Sequence, residues 1–139
     1  MTRAAALLLL LALALAACGD DSEQAPTAVR TVAAADVAPD VAAGRTLLVD
    51  VREADEWDAG RAPRAIHVPL AEVERRLGEI ERAAAGRPIV FICRSGRRSA
   101  QAARIAAAGG LEPVSSVDGG MEAWVDAGLP LRPRDGTVL

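Results

Sequence analysis

Between residues 88 and 108 the chain passes through an apolar stretch, Pro88-Ile89-Val90-Phe91-Ile92, a short loop, Cys93-Arg94-Ser95-Gly96-Arg97-Arg98-Ser99, and a run dominated by alanine. A brief β-branched and aromatic run suits a fully buried strand, and alanine is the best helix former, so the unit reads as strand, tight loop, helix. The same alternation recurs on either side. Thr46-Leu47-Leu48-Val49-Asp50-Val51 reads as a strand and residues 53–59 as a short helix around Trp57. Ala65-Ile66-His67-Val68 is a second short strand, closed by Pro69. Leu70, Val73, Leu77, Ile80 and Ala84 have the spacing of one amphipathic helix over residues 70–85, with Gly86 at its C-cap. A helix over 99–108, ended by Gly109-Gly110, a strand over 114–117, and a helix over 121–127 before Gly128-Leu129-Pro130 complete the pattern. Short buried strands alternating with helices predict an α/β fold, a short, mostly parallel sheet with helices on both faces. The roughly 100 residues involved suffice for one core and are too few for two domains.

Residues 1–17 stand outside this pattern. Arg3 supplies a positive start, residues 4–17 are an unbroken run of Ala and Leu, and Leu15-Ala16-Ala17-Cys18 places small residues before a cysteine. Such a run falls short of the ~20 residues that span a bilayer and suits the core of a secretory leader. The tetrapeptide resembles the bacterial lipobox, in which the cysteine is lipidated and becomes the new N-terminus; cleavage of a plain secretory leader is the competing reading. Several acyl chains on Cys18 would anchor the chain stably to a membrane, where one would be marginal. The expected location is the bacterial cell envelope, facing the periplasm, with Gly19 in place of an acid weakly favouring the outer membrane. Residues 18–30, polar and acidic, read as a flexible tether. The folded domain is then expected over residues 31–133, with a C-terminal tail over 134–139.

All sixteen basic residues are arginine, and loss of Arg3 with the leader leaves fifteen basic against nineteen acidic side chains, a net charge of −4. That balance argues against a nucleic-acid partner. With Cys18 lipidated, Cys93 is the sole free thiol, so no disulfide framework forms. Zinc fails on ligand count, since Cys93 and His67 are the only soft or imidazole donors.

Cys93 is the candidate nucleophile. At a strand-to-helix junction it faces the unpaired N–H groups of the helix start and the positive end of its dipole. Arg94, Arg97 and Arg98 add to that field, and such surroundings hold a thiol below its usual pKa of about 8.5. Gly96 allows the loop to turn its amides inward. The N–H groups from Arg94 through Ser95, Gly96, Arg97, Arg98 and Ser99 can then hold an anion, and Ser99 is placed to cap the helix. Asp50, at a strand end, is a candidate for orienting the loop or handling a proton, with pairing to Arg52 or capping of the next helix the commoner use of such an acid. Trp57 and Trp124 read as core, and His67 as a surface or edge residue.

Four pieces in this order resemble a single rhodanese domain: Leu48-Val49-Asp50-Val51-Arg52 with Trp57, residues 60–69, the Cys93 loop ending in Arg98-Ser99, and Gly119-Gly120 with Trp124 and Gly128-Leu129-Pro130. The resemblance implies a three-layer sandwich and a sulfurtransferase. Cys93 would accept a sulfane sulfur from a donor such as thiosulfate and pass it, as a persulfide, to cyanide or a thiol, with no cofactor. Arg98 holds the family position just before the helix and is the best placed of the arginines to steer an anionic donor. One departure stands out: the family commonly has Gly-His-Ile-Pro-Gly-Ala where this chain has Gly60-Arg61-Ala62-Pro63-Arg64-Ala65. Arg64 would replace a left-handed glycine, at a cost of about 1–2 kcal/mol, which favours a different turn type.

Three other readings compete. A cysteine phosphatase or arsenate reductase of the related type needs arginine six residues after the cysteine, where this chain has Ser99. A persulfide carrier serving an envelope partner would share the same loop. A Cys-His hydrolase would need a base beside the thiol, and only His67 is available.

Overall fold

The computed structural model describes residues 28–139. The leader, Cys18 and most of the tether lie outside the described residues. Five strands, β1 (Arg30–Val32), β2 (Leu47–Asp50), β3 (Ile66–His67), β4 (Ile89–Ile92) and β5 (Val114–Val117), form one parallel sheet in the order β1-β5-β4-β2-β3. The helices are α1 (Ala34–Ala42), α2 (Ala54–Ala59), α3 (Leu77–Ala84), α4 (Arg97–Ala108) and α5 (Gly120–Asp126).

Alternation along the strands builds two cores. Leu47, Val49, Ile89 and Phe91 point to one face, where they meet Ile80 and Ala84 of α3 and Ala102, Ala103 and Ala106 of α4. Leu48, Val90, Ile92 and Val117 point to the other, against Val37 and Val41 of α1 and Met121 and Trp124 of α5. Because both faces are covered, β2 and β4 are buried at every position, which is why they read as unbroken apolar runs. The result is a three-layer α/β/α sandwich. Trp124 belongs to its core, as expected, with Nε1–H donating to the Pro130 carbonyl at 2.9 Å. Among the described residues no helix is long and apolar enough to cross a membrane.

Several local expectations are corrected. The sheet has a fifth strand, β1, and α1 follows it; Arg30 joins the sheet rather than the tether. Residues 70–85 are not one helix. Two 3-10 turns, Leu70–Glu72 and Glu74–Arg76, precede α3. Arg76, at φ −106° and ψ 16°, leaves helical geometry while its guanidinium holds Glu72 at 2.9 Å and Glu79 at 2.6 Å. The left-handed residue that closes α3 is Ala85, with Gly86 at φ +80° just after it. Arg64 sits at φ +66°, so the turn keeps its left-handed residue despite the side chain. The C-terminal tail, residues 134–139, returns to the domain: the Thr137 N–H donates to the Ala59 carbonyl at 2.9 Å, and Val138 packs on the α1/α5 core.

Candidate active site

Cys93 follows directly on β4, at the carboxyl end of the sheet, where ligands bind in open parallel sheets. Gly96, at φ +103°, reverses the chain so that α4 begins at Arg97. The Gly96 N–H then donates to Cys93 Sγ at 3.1 Å. The Ser99 hydroxyl lies 3.4 Å from the same sulfur and 3.1 Å from the Gly96 carbonyl. A hydroxyl has one proton, so Ser99 gives it to one acceptor at a time, and a thiolate is the stronger claimant. Ser116 of β5 donates to the Ser99 oxygen at 2.8 Å, which leaves the Ser99 proton free for the sulfur.

The outer side of the loop is fixed by α5. Its first amides donate outward: Met121 N–H to the Cys93 carbonyl at 2.8 Å and Glu122 N–H to the Arg94 carbonyl at 3.1 Å. With those carbonyls held away, the loop's amides are left to face the sulfur. The approach is close enough that Gly120, at φ +56°, has no room for a Cβ, which would overlap the Cys93 oxygen.

Two opposing effects act on the Cys93 thiol. Burial pushes it up; hydrogen bonds from the Ser99 hydroxyl and from the N–H groups of Ser99, Gly96 and Ser95 outweigh burial and hold it below the ordinary value. The arginines are not the leading cause, contrary to expectation, although Arg98 still feels the charge of Cys93. Arg98 is clasped by Glu56 at 2.6 and 2.7 Å, and Arg94 by Glu122 at 3.0 Å. Glu56 is correspondingly acidic, lowered to about 2 chiefly by its hydrogen bonds to Arg98. Arg97 alone of the three is exposed without an ion pair among the described residues. Ser99 does not cap α4 either: the N-cap is Gly96, and the Ser99 side chain is turned to the sulfur.

Asp50 and Arg52 form a fully buried pair, with Arg52 Nη2 2.7 Å from Asp50 Oδ2 and also donating to the Gly60 carbonyl at 2.7 Å. Neither hydrogen-bonds to Cys93. Asp50 accepts the Arg52 backbone N–H at 3.0 Å and does not cap α2, whose start is a capping box of Glu53 and Glu56. The link to the loop is indirect: the Arg52 charge helps to keep Glu56 ionised, and Glu56 holds Arg98. Trp57 is not core. It is half-buried, stacked on the His67 ring at 4.8 Å, with the Arg61 guanidinium carbon 4.8 Å from its ring centroid. His67 lies on the edge strand, Nε2 2.8 Å from the Arg52 carbonyl, as an edge residue should.

Cys93 lines an open cavity of about 660 Å³ together with Ser95, Gly96, Arg97, Arg98 and Arg104. Ser116 and Glu56 escape sequence reasoning because each reaches the site from another element, and Arg104 because it lies two turns along α4 from the loop; the only local hint is the polar pair Ser115-Ser116 inside an otherwise apolar strand.

A cysteine held by helix-start amides at the end of the central strand of a parallel sheet defines an α/β domain built to keep sulfur anionic. The chain belongs to the Rhodanese-like domain family, which it matches over residues 33–127. It is 40% identical over 77 residues to YrkF of Bacillus subtilis, named as a sulfur carrier, covering 55% of this chain and 40% of that protein. It is 37% identical over 90 residues to a sulfurtransferase of Allochromatium vinosum, covering 65% and 81%. Among solved structures, a thiosulfate sulfurtransferase of Pseudomonas aeruginosa superposes with a TM-score of 0.69 at 25% identity over 79% of this chain and 21% of that one. A Rhodopseudomonas palustris protein of unknown function, described as a possible tyrosine phosphatase, does so with 0.68 at 29% over 75% and 85%. The chain thus spans about two fifths of the Bacillus carrier's length.

Proposed function

We propose that the protein is a sulfurtransferase that carries a sulfane sulfur on Cys93. The observation that bears the reading is the hydrogen-bonded sulfur: Gly96 N–H at 3.1 Å and the Ser99 hydroxyl at 3.4 Å favour its anionic form. The Cys93 thiolate attacks the outer sulfur of thiosulfate; the Sγ–S bond forms as the donor S–S bond breaks, and the electron pair leaves with sulfite. The inward amides then hold the persulfide anion as an oxyanion hole holds developing charge. Attack on the outer sulfur by cyanide or a thiol restores the Cys93 thiolate. The thiosulfate donor is supported by the likeness to the Pseudomonas enzyme. A carrier role, handing the persulfide to a protein partner, is supported by the Bacillus relative. The leader and Cys18 support lipid anchorage in the bacterial envelope.

A phosphatase reading draws on the Rhodopseudomonas likeness. Against it, position 99 is a buried serine bonded to Ser116 in place of an arginine, and Arg98 is held by Glu56. Intact mass tests both. Thiosulfate should add one sulfur atom to the wild type, cyanide should remove it, and Cys93→Ser should do neither. Sulfur uptake unaffected by Cys93→Ser, or Cys93-dependent release of phosphate from aryl phosphates without sulfur uptake, overturns the assignment.

A further inference from the structure

A second cavity lies at the opposite end of the sheet from Cys93, where β2 and β3 begin. Its volume of about 350 Å³ suffices for a small organic ligand. Val41, Leu47, Ile66 and Ala83 give it apolar walls, and the buried Thr46 adds a hydroxyl. Its charged lining, among the described residues, consists of Arg64 and Arg87. Both converge on Gly44. Arg87 Nη1 donates to the Gly44 carbonyl at 2.9 Å, and Arg64 Nη2 stands 3.0 Å from the point that a Cβ on Gly44 would occupy. Arg87 is half-buried, and its other bonds go to the Ala84 and Ala83 carbonyls at the end of α3, at 2.8 and 2.6 Å. Three of its five N–H groups are engaged by neutral carbonyls, which leaves one on each Nη for a ligand. No carboxylate lines the cavity to balance the two guanidinium groups.

Arg64 supplies a second observation. It holds φ +66°, a left-handed conformation that costs a residue with a Cβ, and its exposed side chain makes no hydrogen bond or ion pair among the described residues. The fold thus bears strain to place a cation from which it draws no contact of its own, as ligand clamps do. We infer that this cavity is an anion site separate from Cys93, and that it takes a phosphomonoester carrying a short aliphatic group. A phosphomonoester brings nearly two negative charges at neutral pH, where a carboxylate brings one, and so matches two converging cations. Its oxygens accept from both guanidinium groups and from the Thr46 hydroxyl, while the apolar walls cover the carbon chain. A soluble ester and a phosphatidate headgroup present the same group. None of this depends on sulfur transfer by Cys93.

Titration calorimetry with n-butyl phosphate, inorganic phosphate and butyrate tests the ligand class, and thermal unfolding without ligand tests the strain. The wild type should bind n-butyl phosphate more tightly than either of the others. Arg64→Gly should weaken that binding by about tenfold or more, the loss expected for a charge-assisted hydrogen bond. It should also raise the unfolding temperature of the free protein by a few degrees, because glycine relieves the strain. Arg64→Lys keeps the charge and should cost only a few-fold in affinity. Arg75→Ala, which removes an equal charge from an exposed position at the other end of α3, should leave the affinity as it was. Dihexanoyl phosphatidate separates the two sources: binding tighter than that of n-butyl phosphate assigns a membrane lipid, weaker binding a soluble ester, and either supports the site. Binding that Arg64→Gly leaves untouched, as it would be at the Cys93 loop, overturns the inference, and so does equal affinity for butyrate and n-butyl phosphate.

Discussion

Gly120→Ala tests whether α5 shapes the reactive loop, and Gly128→Ala supplies its reference. Both glycines are left-handed, at φ +56° and +70°. A Cβ on Gly128 meets nothing within 4 Å, whereas one on Gly120 overlaps the Cys93 oxygen and stands 2.6 Å from the Arg94 oxygen. Those two oxygens accept the first N–H groups of α5, at 2.8 and 3.1 Å. Gly128→Ala therefore carries only backbone strain, about 1–2 kcal/mol, less roughly 0.4–1 kcal/mol from the stiffer unfolded chain. Gly120→Ala carries the same strain, weakens two hydrogen bonds at about 1 kcal/mol each, and must displace backbone, for a total of about 3–5 kcal/mol. Against a domain stability of about 5–15 kcal/mol that is a large fraction. Urea unfolding gives the stabilities, and the alkylation rate of Cys93 in the folded protein gives the state of the loop. Gly120→Ala should lower the unfolding midpoint by at least twice as much as Gly128→Ala, and it alone should slow alkylation. Equal destabilisation by the two variants, with normal Cys93 reactivity in Gly120→Ala, would refute the idea that α5 turns the loop's carbonyls away from the sulfur.

Two further predictions concern charge and protons. Glu56 is lowered from 4.5 to about 2 in the folded state, so its carboxylate stabilises the fold above the unfolded value and that contribution is lost as pH falls from about 4.5 to about 2. Glu56→Gln should cost about 1–2 kcal/mol at neutral pH after allowance for partial exposure, and the gap from wild type should close in acid; a gap as wide in acid as at neutrality removes the charge from the account. Ser99→Ala deletes the hydroxyl 3.4 Å from Cys93 Sγ, one of the bonds that lower the thiol. Its pH profile of alkylation should move to higher pH, with Ser116→Ala moving it the same way by less; an unmoved profile in Ser99→Ala would remove the hydroxyl from the account.

What was legible in the sequence followed from burial. β2 and β4 are covered on both faces and announce themselves as apolar runs, and α4 follows from its alanines; together they fix the position of Cys93. β1 was illegible because a three-residue edge strand with two exposed positions has no pattern to show, and Pro39 inside α1 speaks against a helix that Ala34, Val37, Ala38 and Val41 nonetheless bury. The loop's composition misled in one respect. Three arginines near a cysteine suggest a cationic field, yet the partners that engage two of them, Glu56 and Glu122, lie 42 and 28 residues away in sequence. Ion pairing between distant elements has no local signature, and neither has the Ser116 bond that orients Ser99 from 17 residues further on.

The division of labour that results has a chemical consequence. If the arginines beside Cys93 were free, their charge would stabilise the thiolate and, by the same attraction, hold an expelled sulfite or a charged leaving thiolate next to it. Neutral donors avoid that conflict: amides and a hydroxyl act over the length of one hydrogen bond, on the sulfur alone. Glu56 and Glu122 offset part of the remaining long-range field by clasping Arg98 and Arg94. The unpaired cations, Arg97 and Arg104, are spread along α4 instead, where they can attract an anion without fixing it at the reacting atom. A leaving group is then released from the sulfur into a cavity whose charge is distributed, which suits a site that must take in one anion, expel another and keep a third, the persulfide, in place.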